Sequence, residues 1–202
     1  MLAKVYSCAL IGLEGAIVEV EADISPGLPS FTVVGLPDAA VQEARERVRA
    51  AIRNSGYSFP PRRITVNLAP ADLKKAGPAY DLPIAVAILV GSGQCRGDLS
   101  NTLLLGELSL DGSLRHTNGI LPMVALARDK NMASVIVSEN DAAEAALVEG
   151  IDIACFKNLR RLSEAISSPD PLAYYHPEDA GYNASKPAVR FDMSHIKGQE
   201  HV

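Results

Sequence analysis

The sequence predicts an α/β fold, α+β in the order of its elements. Its sheets are mixed, with antiparallel strands towards the amino terminus and parallel strands towards the carboxyl terminus, packed on helices. Three observations predict this. Three strand-like runs open the chain in succession, separated by turn residues. Residues 82–90 are apolar on every side and form a helix that must be buried all round. From residue 134 onward, strand and helix patterns alternate, which is the mark of parallel pairing.

The opening strands cover residues 3–11, 15–24 and 30–34, with Gly12, Pro26-Gly27 and Pro29 as punctuation. Gly35-Leu36-Pro37-Asp38 starts a helix, with Pro and an acid in its first turn. Val41, Ala44, Val48, Ala51 and Ile52 recur at helical spacing and define its buried stripe, and Gly56 ends it. Residues 63–68 alternate as a strand. A polar loop over 69–77 follows, and Asp81 is read as the cap of the apolar helix, worth ~1 kcal/mol. Residues 102–110 form a strand that turns at Asp111-Gly112 and returns through Ser113-Leu114. The chain then reads helix 119–129, strand 134–137, helix 142–148, strand 151–154 and helix 159–166. The domain spans 1–167. Residues 168–190 have linker composition, with four X-Pro steps and no apolar periodicity.

Composition bounds the function. Hydrophobic residues make up 48% of the 202 residues, enough for an ordinary core, whereas aromatics are 5% and Trp is absent. The net charge of −5 gives the molecule as a whole no attraction to nucleic acid or anionic lipid, so such binding needs a local basic patch. Cys8, Cys95 and Cys155 are odd in number and far apart, which fits reduced thiols in a cytoplasmic protein better than a zinc or redox motif. The longest apolar run is about half of the ~20 residues a membrane span needs. Glu14 interrupts the only stretch that resembles a signal peptide.

The local patch exists. Residues 37–63 hold six arginines (45, 47, 49, 53, 62 and 63) against the three acids Asp38, Glu43 and Glu46. Arg45, Arg49 and Arg53 are spaced by four and share one helix face, Arg62 and Arg63 begin the next strand, and Lys74 and Lys75 lie in the loop beyond it. These seven are the candidate DNA contacts, and they would be sequence-independent and salt-sensitive. The arginines are read as having no aromatic residues interleaved with them, which argues against base stacking. The competing reading is a solvated face with ion pairs such as Glu43–Arg47 and Glu46–Arg49.

Chemistry is otherwise sparse. No G-x-x-x-x-G-K-[ST] is present, and Gly91-Ser92-Gly93 lacks the Lys that a phosphate loop requires. His116, His176, His195 and His201 show no ligand spacing and read as solvated; neither a metal site nor a cofactor site is predicted. Gly77-Pro78-Ala79, between a strand and the start of the buried helix, resembles the Gly-Pro-Ser of Lon-type protease domains. There the Ser is activated by a Lys from a later helix. At the matching positions stand Ala79 and, aligned on Gly119, Leu121. Neither carries a nucleophile or a base, so no catalytic residue is expected.

Several segments together resemble a narrower family. Phe31 to Asp38 (FTVVGLPD), Glu43 to Val48 (EARERV), Asn67 to Asp72 (NLAPAD), Asp81 to Ala85 (DLPIA) and Leu105 to Leu108 (LGEL) are similar to the amino-terminal domain of the ComM/YifB family, whose members are described as magnesium-chelatase-like. The resemblance implies a Lon-protease-like domain over about residues 3–167, attached to an AAA+ ATPase. Phe191-Asp192 and Ile196-Lys197-Gly198-Gln199 look like the opening of that module, so 191–202 would be its truncated start. It further implies a hexameric DNA helicase promoting branch migration in natural transformation and recombination. ATP and Mg2+ would be used by the parent protein, not by this fragment. The partners implied are DNA, the chain's own AAA+ module and further copies of itself, with no membrane. The alternative is an inactive peptidase-like collar used for oligomerisation or peptide binding.

Overall fold

A computed structural model describes residues 1–11, 14–73, 75 and 77–176. Its centre is a mixed sheet of seven strands in the order β3-β4-β2-β1-β5-β8-β9. Strands β1 (Leu2–Ile11) and β2 (Glu14–Ser25) form a long antiparallel hairpin, in register from Leu2 opposite Asp23 to Ile11 opposite Glu14. The turn expected at Gly12 lies outside the described residues. Strand β4 (Arg63–Ala69) pairs antiparallel with β2, and β3 (Ser30–Val34) lies parallel to β4 at the edge. A parallel pair needs a crossover, and α1 (Ala39–Asn54) supplies it between β3 and β4. On the other flank, β5 (Thr102–Leu104), β8 (Ser134–Ser138) and β9 (Asp152–Phe156) are all parallel, as the alternating carboxy-terminal pattern predicts.

Both faces of this parallel flank are covered, so β8 is buried at every position. Leu104, Ile136 and Ala154 face the larger core, which contains α2 (Asp81–Gly91), the buried stripe of α1 and α5 (Leu159–Ser167). Leu103, Val135, Val137 and Ile153 face a second core built on α3 (Ile120–Asp129) and the short α4 (Ala142–Ala145). Helix α2 is buried at nearly every residue, in keeping with its uniformly apolar sequence. After α5 the chain crosses the β9 edge. Leu172 packs on the first core, the Tyr175 N–H donates to the Ile153 carbonyl at 2.6 Å, and the Tyr175 ring packs on the second core. The rest of the expected linker, and 191–202, lie outside the described residues.

Two boundaries differ from expectation, for local reasons. Helix α1 begins at Ala39, two residues late, because Gly35 (φ 97) and Leu36 (φ 55) are both left-handed and Asp38 is the cap, accepting the Val41 N–H at 2.8 Å. Only glycine fits at 35, since a Cβ there would lie 2.1 Å from the Leu68 carbonyl oxygen. The strand expected over 102–110 is broken in two. Its second half, β6 (Glu107–Leu108), pairs with β7 (Leu114–Arg115) in a separate ribbon. The ribbon does not close with a two-residue turn. Ser109 N–H donates to Ser113 O at 2.9 Å and Gly112 N–H to Ser109 O at 2.9 Å, leaving a three-residue loop that ends on left-handed Gly112.

Candidate nucleic-acid interface

Helix α1 buries its apolar stripe and carries Arg49 and Arg53 on its outer side. Arg49 is half-buried, with its guanidinium 5.2 Å above the Phe59 ring and 3.7 Å from Glu46. Arg53 is exposed in the last turn, where the helix dipole favours a cation. The exposed Arg62 comes in from the loop before β4. These three arginines, with Ser30, Phe59 and the prolines 29, 60 and 61, line a groove of about 380 Å³. No carboxylate of the described residues lines it. An adjoining groove of about 280 Å³ shares Pro60 and Arg62 and adds the polar side chains of Ser58, Ser92 and Gln94, again without an acid.

Phe59 is the residue that sequence reasoning missed. The absence of aromatics on α1 itself pointed away from any ring among the arginines. The loop after the helix folds back and places Phe59 under Arg49, 5.5 Å from Phe31. The sequence signal was the run Phe59-Pro60-Pro61-Arg62-Arg63, whose fixed proline φ angles hold the loop against the helix.

The other candidate cations lie elsewhere. Arg45 folds back, its Nε donating to Gln42 O at 3.0 Å and an Nη to Phe31 O at 3.4 Å, and it does not line the groove. There it covers backbone at the exposed edge of β3. Arg63 is exposed as the first residue of β4, outside the groove lining. Lys74 lies outside the described residues. Lys75 corrects the expectation of a surface cation: its side chain is fully buried and its ammonium donates to the Pro70 carbonyl. Desolvation lowers its pKa. Its backbone fixes the helix start, with Lys75 N–H to Leu36 O at 3.2 Å and Asp38 N–H to Lys75 O at 3.0 Å.

Asp81 is also corrected. It is not the cap of α2, whose N-cap is Tyr80 without a side-chain bond. The Asp81 carboxylate is fully buried and takes Arg47 Nε at 2.7 Å and Nη2 at 3.1 Å, with Leu108 N–H at 3.3 Å. Arg47 therefore pairs across the fold with Asp81, not with Glu43 along its own helix. Burial pushes the Asp81 carboxyl up to about 6 against the pull of Arg47, whereas the less buried Arg47 is held above its usual value by the same pair.

The Ala79 region forms a cavity of about 270 Å³ between β1, the start of α2, β6 and α3. Ala79 lines it, but the α3 side chain beside it is Met123; Leu121 is 40% exposed and does not line it. The buried face of α3 runs through Ile120, Met123, Val124 and Ala127, which leaves position 121 outside. His116, expected to be solvated, is 55% exposed and is also bonded through Nδ1 to the buried Asp141, which raises its pKa. Hydrolysis through a Ser–Lys pair has no atoms to proceed with here, since Ala79 and Met123 bear neither hydroxyl nor amine.

The described residues form an α/β module with two grooves lined in part by arginines, and with Ala79 at the head of helix α2. A family model described as subunit ChlI of Mg-chelatase matches residues 20–141, more than half of the chain. Competence protein ComM of Haemophilus influenzae is 38% identical over 204 residues, covering 100% of this chain and 40% of that protein. The YifB proteins of Escherichia coli and Salmonella typhimurium are 40% identical over 200 residues and 47% over 202, each covering 98% of this chain and 38% of the relative. The chain belongs to the magnesium-chelatase ChlI family and, within it, to the ComM/YifB proteins. It spans about two fifths of the length of these relatives.

Proposed function

We propose that this chain is the amino-terminal accessory domain of a hexameric, ATP-driven AAA+ motor that works on DNA in the cytoplasm, and that it holds the phosphate backbone in the groove of Arg49, Arg53 and Arg62. The observation that carries the proposal is that no acid among the described residues lines either of two adjoining grooves on a molecule whose net charge is −5. Cations gathered against the overall charge are what a polyanion needs. Guanidinium contacts to phosphate carry no sequence information, which suits a motor that drives branch migration through any sequence. The ChlI match supports a nucleotide-driven parent, with ATP and Mg2+ held by the part of the protein that carries a phosphate loop. The name competence protein, borne by one relative, supports a role with incoming DNA.

The test is fluorescence anisotropy with labelled single-stranded and duplex oligonucleotides, on this chain and on the whole protein, across a salt series. Arg53→Glu with Arg62→Glu is expected to weaken binding and flatten its salt dependence. Unchanged binding across the series would remove the DNA role from the groove. Size measurements of hexamers that form without any DNA affinity would favour a collar.

A further inference from the structure

Strands β8 and β9 are parallel neighbours, yet the chain leaves them towards opposite faces of the sheet. After β8 it passes Glu139 and Asn140 and enters α4, which packs in the second core through Ala145. After β9 it passes Lys157 and enters α5, which packs in the first core through Leu159, Leu162 and Ile166. Such a divergence opens a crevice beyond the carboxyl ends of the strands, where open α/β sheets take their ligands. Glu139, Asn140 and Lys157 all line a cavity of about 650 Å³ there. It shares no lining residue with the arginine grooves or with the Ala79 cavity.

The remaining wall is the loop between β6 and β7, which is tied down on both sides. Leu114 N–H donates to Lys157 O at 2.9 Å and Leu159 N–H to Gly112 O at 2.8 Å. Asn54, the last residue of α1, donates through its amide to Leu110 O at 2.6 Å. The loop adds Ser109, Asp111 and Ser113 to the lining, and β7 adds Arg115. Arg115 Nε donates to Ser109 Oγ, and Asp111 accepts the Ser113 N–H at 3.0 Å and hydroxyl at 2.7 Å. Among the described residues, Arg115, Lys157 and Glu139 take part in no ion pair.

Size and charge decide what such a site takes. The volume lies within the ~300–1,000 Å³ of sites that enclose a whole small molecule. Two cations in one lining call for an anion, and a guanidinium beside an ammonium suits a phosphate. Asp111 and Glu139 in the same lining stand against a triphosphate, so a single phosphate is the better match. The Glu139 carboxylate accepts only, whereas the Asn140 amide both donates and accepts. A guanine edge, with adjacent N–H donors beside a carbonyl, complements that pair. Leu110, 58% exposed, offers an aliphatic surface to the flat base.

We propose that this crevice binds a guanine nucleoside monophosphate, its phosphate on Arg115 and Lys157 and its base edge on Glu139 and Asn140. The site is independent of DNA binding in the arginine groove.

The experiment is titration of the whole chain with guanosine monophosphate, followed by amide proton–nitrogen correlation spectra. Inorganic phosphate, guanosine triphosphate and a short oligonucleotide serve as comparison probes. Saturable shifts at Leu110, Ser113, Arg115, Asn140 and Lys157 are expected with the monophosphate, and binding about tenfold weaker with phosphate alone. Lys157→Ala should weaken the monophosphate about threefold to tenfold, and Arg53→Glu should leave it unchanged. Glu139→Gln separates base recognition from charge. It should weaken the monophosphate about threefold or more without weakening inorganic phosphate. Tightening of both by Glu139→Gln would show a merely repulsive charge and overturn the proposal. So would a lack of saturable shifts by about 5 mM, or phosphate alone binding as tightly as the nucleotide. Tighter binding of the triphosphate, or the same residues shifting with the oligonucleotide, would overturn it as well.

Discussion

Arg47 and Asp81 meet across the fold through two hydrogen bonds of 2.7 and 3.1 Å, joining α1 to the first turn of α2 and, through Leu108 N–H, to β6. Removing Arg47 leaves a carboxylate in a site with no solvent exposure. Arg47→Ala is expected to cost about 3–5 kcal/mol in urea denaturation. Replacing both residues, as Arg47→Met with Asp81→Leu, should recover most of that loss, because the charge is then absent rather than stranded. A double variant no more stable than Arg47→Ala would mean that the arginine acts through packing alone.

Stability should rise as the solution is acidified from neutrality. The folded chain holds the Asp81 proton more tightly than the unfolded chain does, with a pKa of about 6 against an ordinary 3.8. Its contribution is complete below the unfolded value and is lost as pH rises through about 6. His116 acts in the same sense, since pairing with Asp141 raises it above 6.5, and its contribution is lost as pH rises through the folded value. Asp98 and Asp111, both lowered by hydrogen bonds, work the opposite way and only below about 4. Thermal melts should therefore run several degrees higher at about pH 5 than at about pH 7.5, and Asp81→Asn should flatten that difference.

Gly35→Ala should cost more than about 2 kcal/mol, because left-handed strain adds to a collision with backbone. The new methyl would lie 2.1 Å from Leu68 O, an atom fixed by the β2–β4 ladder. Gly112→Ala is the comparison: its φ of 84 is similar, but the first atom met is Ser55 Oγ at 2.3 Å, which can rotate away. Urea midpoints should place Gly35→Ala well below Gly112→Ala.

Two basic residues that look alike in sequence should separate in the laboratory. Arg62→Ala is expected to leave the melting temperature unchanged while lowering the slope of log binding against log salt by about 1. Lys75→Ala should do the reverse. It empties a buried site and releases the Pro70 carbonyl, so the melting temperature falls, and oligonucleotide binding by the folded fraction stays as it was.

Most of the fold was legible because hydrophobic period reports burial directly. The stripe Val41, Ala44, Val48, Ala51 and Ile52 and the uniformly apolar 82–90 stretch allowed one solution each. The break between β5 and β6 was not legible, since both halves read as strand and only their partners, β8 for β5 and β7 for β6, distinguish them. The candidate site was legible in part. Charge spacing found Arg49, Arg53 and Arg62 but also Arg45 and Lys75, because a count of charges along the chain cannot tell an outward guanidinium from one bonded to backbone or a buried ammonium. The placing of Phe59 under Arg49, and the meeting of His116 with Asp141, depend on residues apart in sequence being folded together, which charge spacing does not report.

The crossing of the β9 edge by Leu172 and Tyr175 sets how traction on the following chain enters the domain. One residue is anchored in each hydrophobic layer, and the Tyr175 N–H donates one hydrogen bond to the Ile153 carbonyl between them. A pull from beyond residue 176 is thus met first at Tyr175 and Leu172, where the chain crosses the β9 edge, and next by α5, the element that precedes them in the chain.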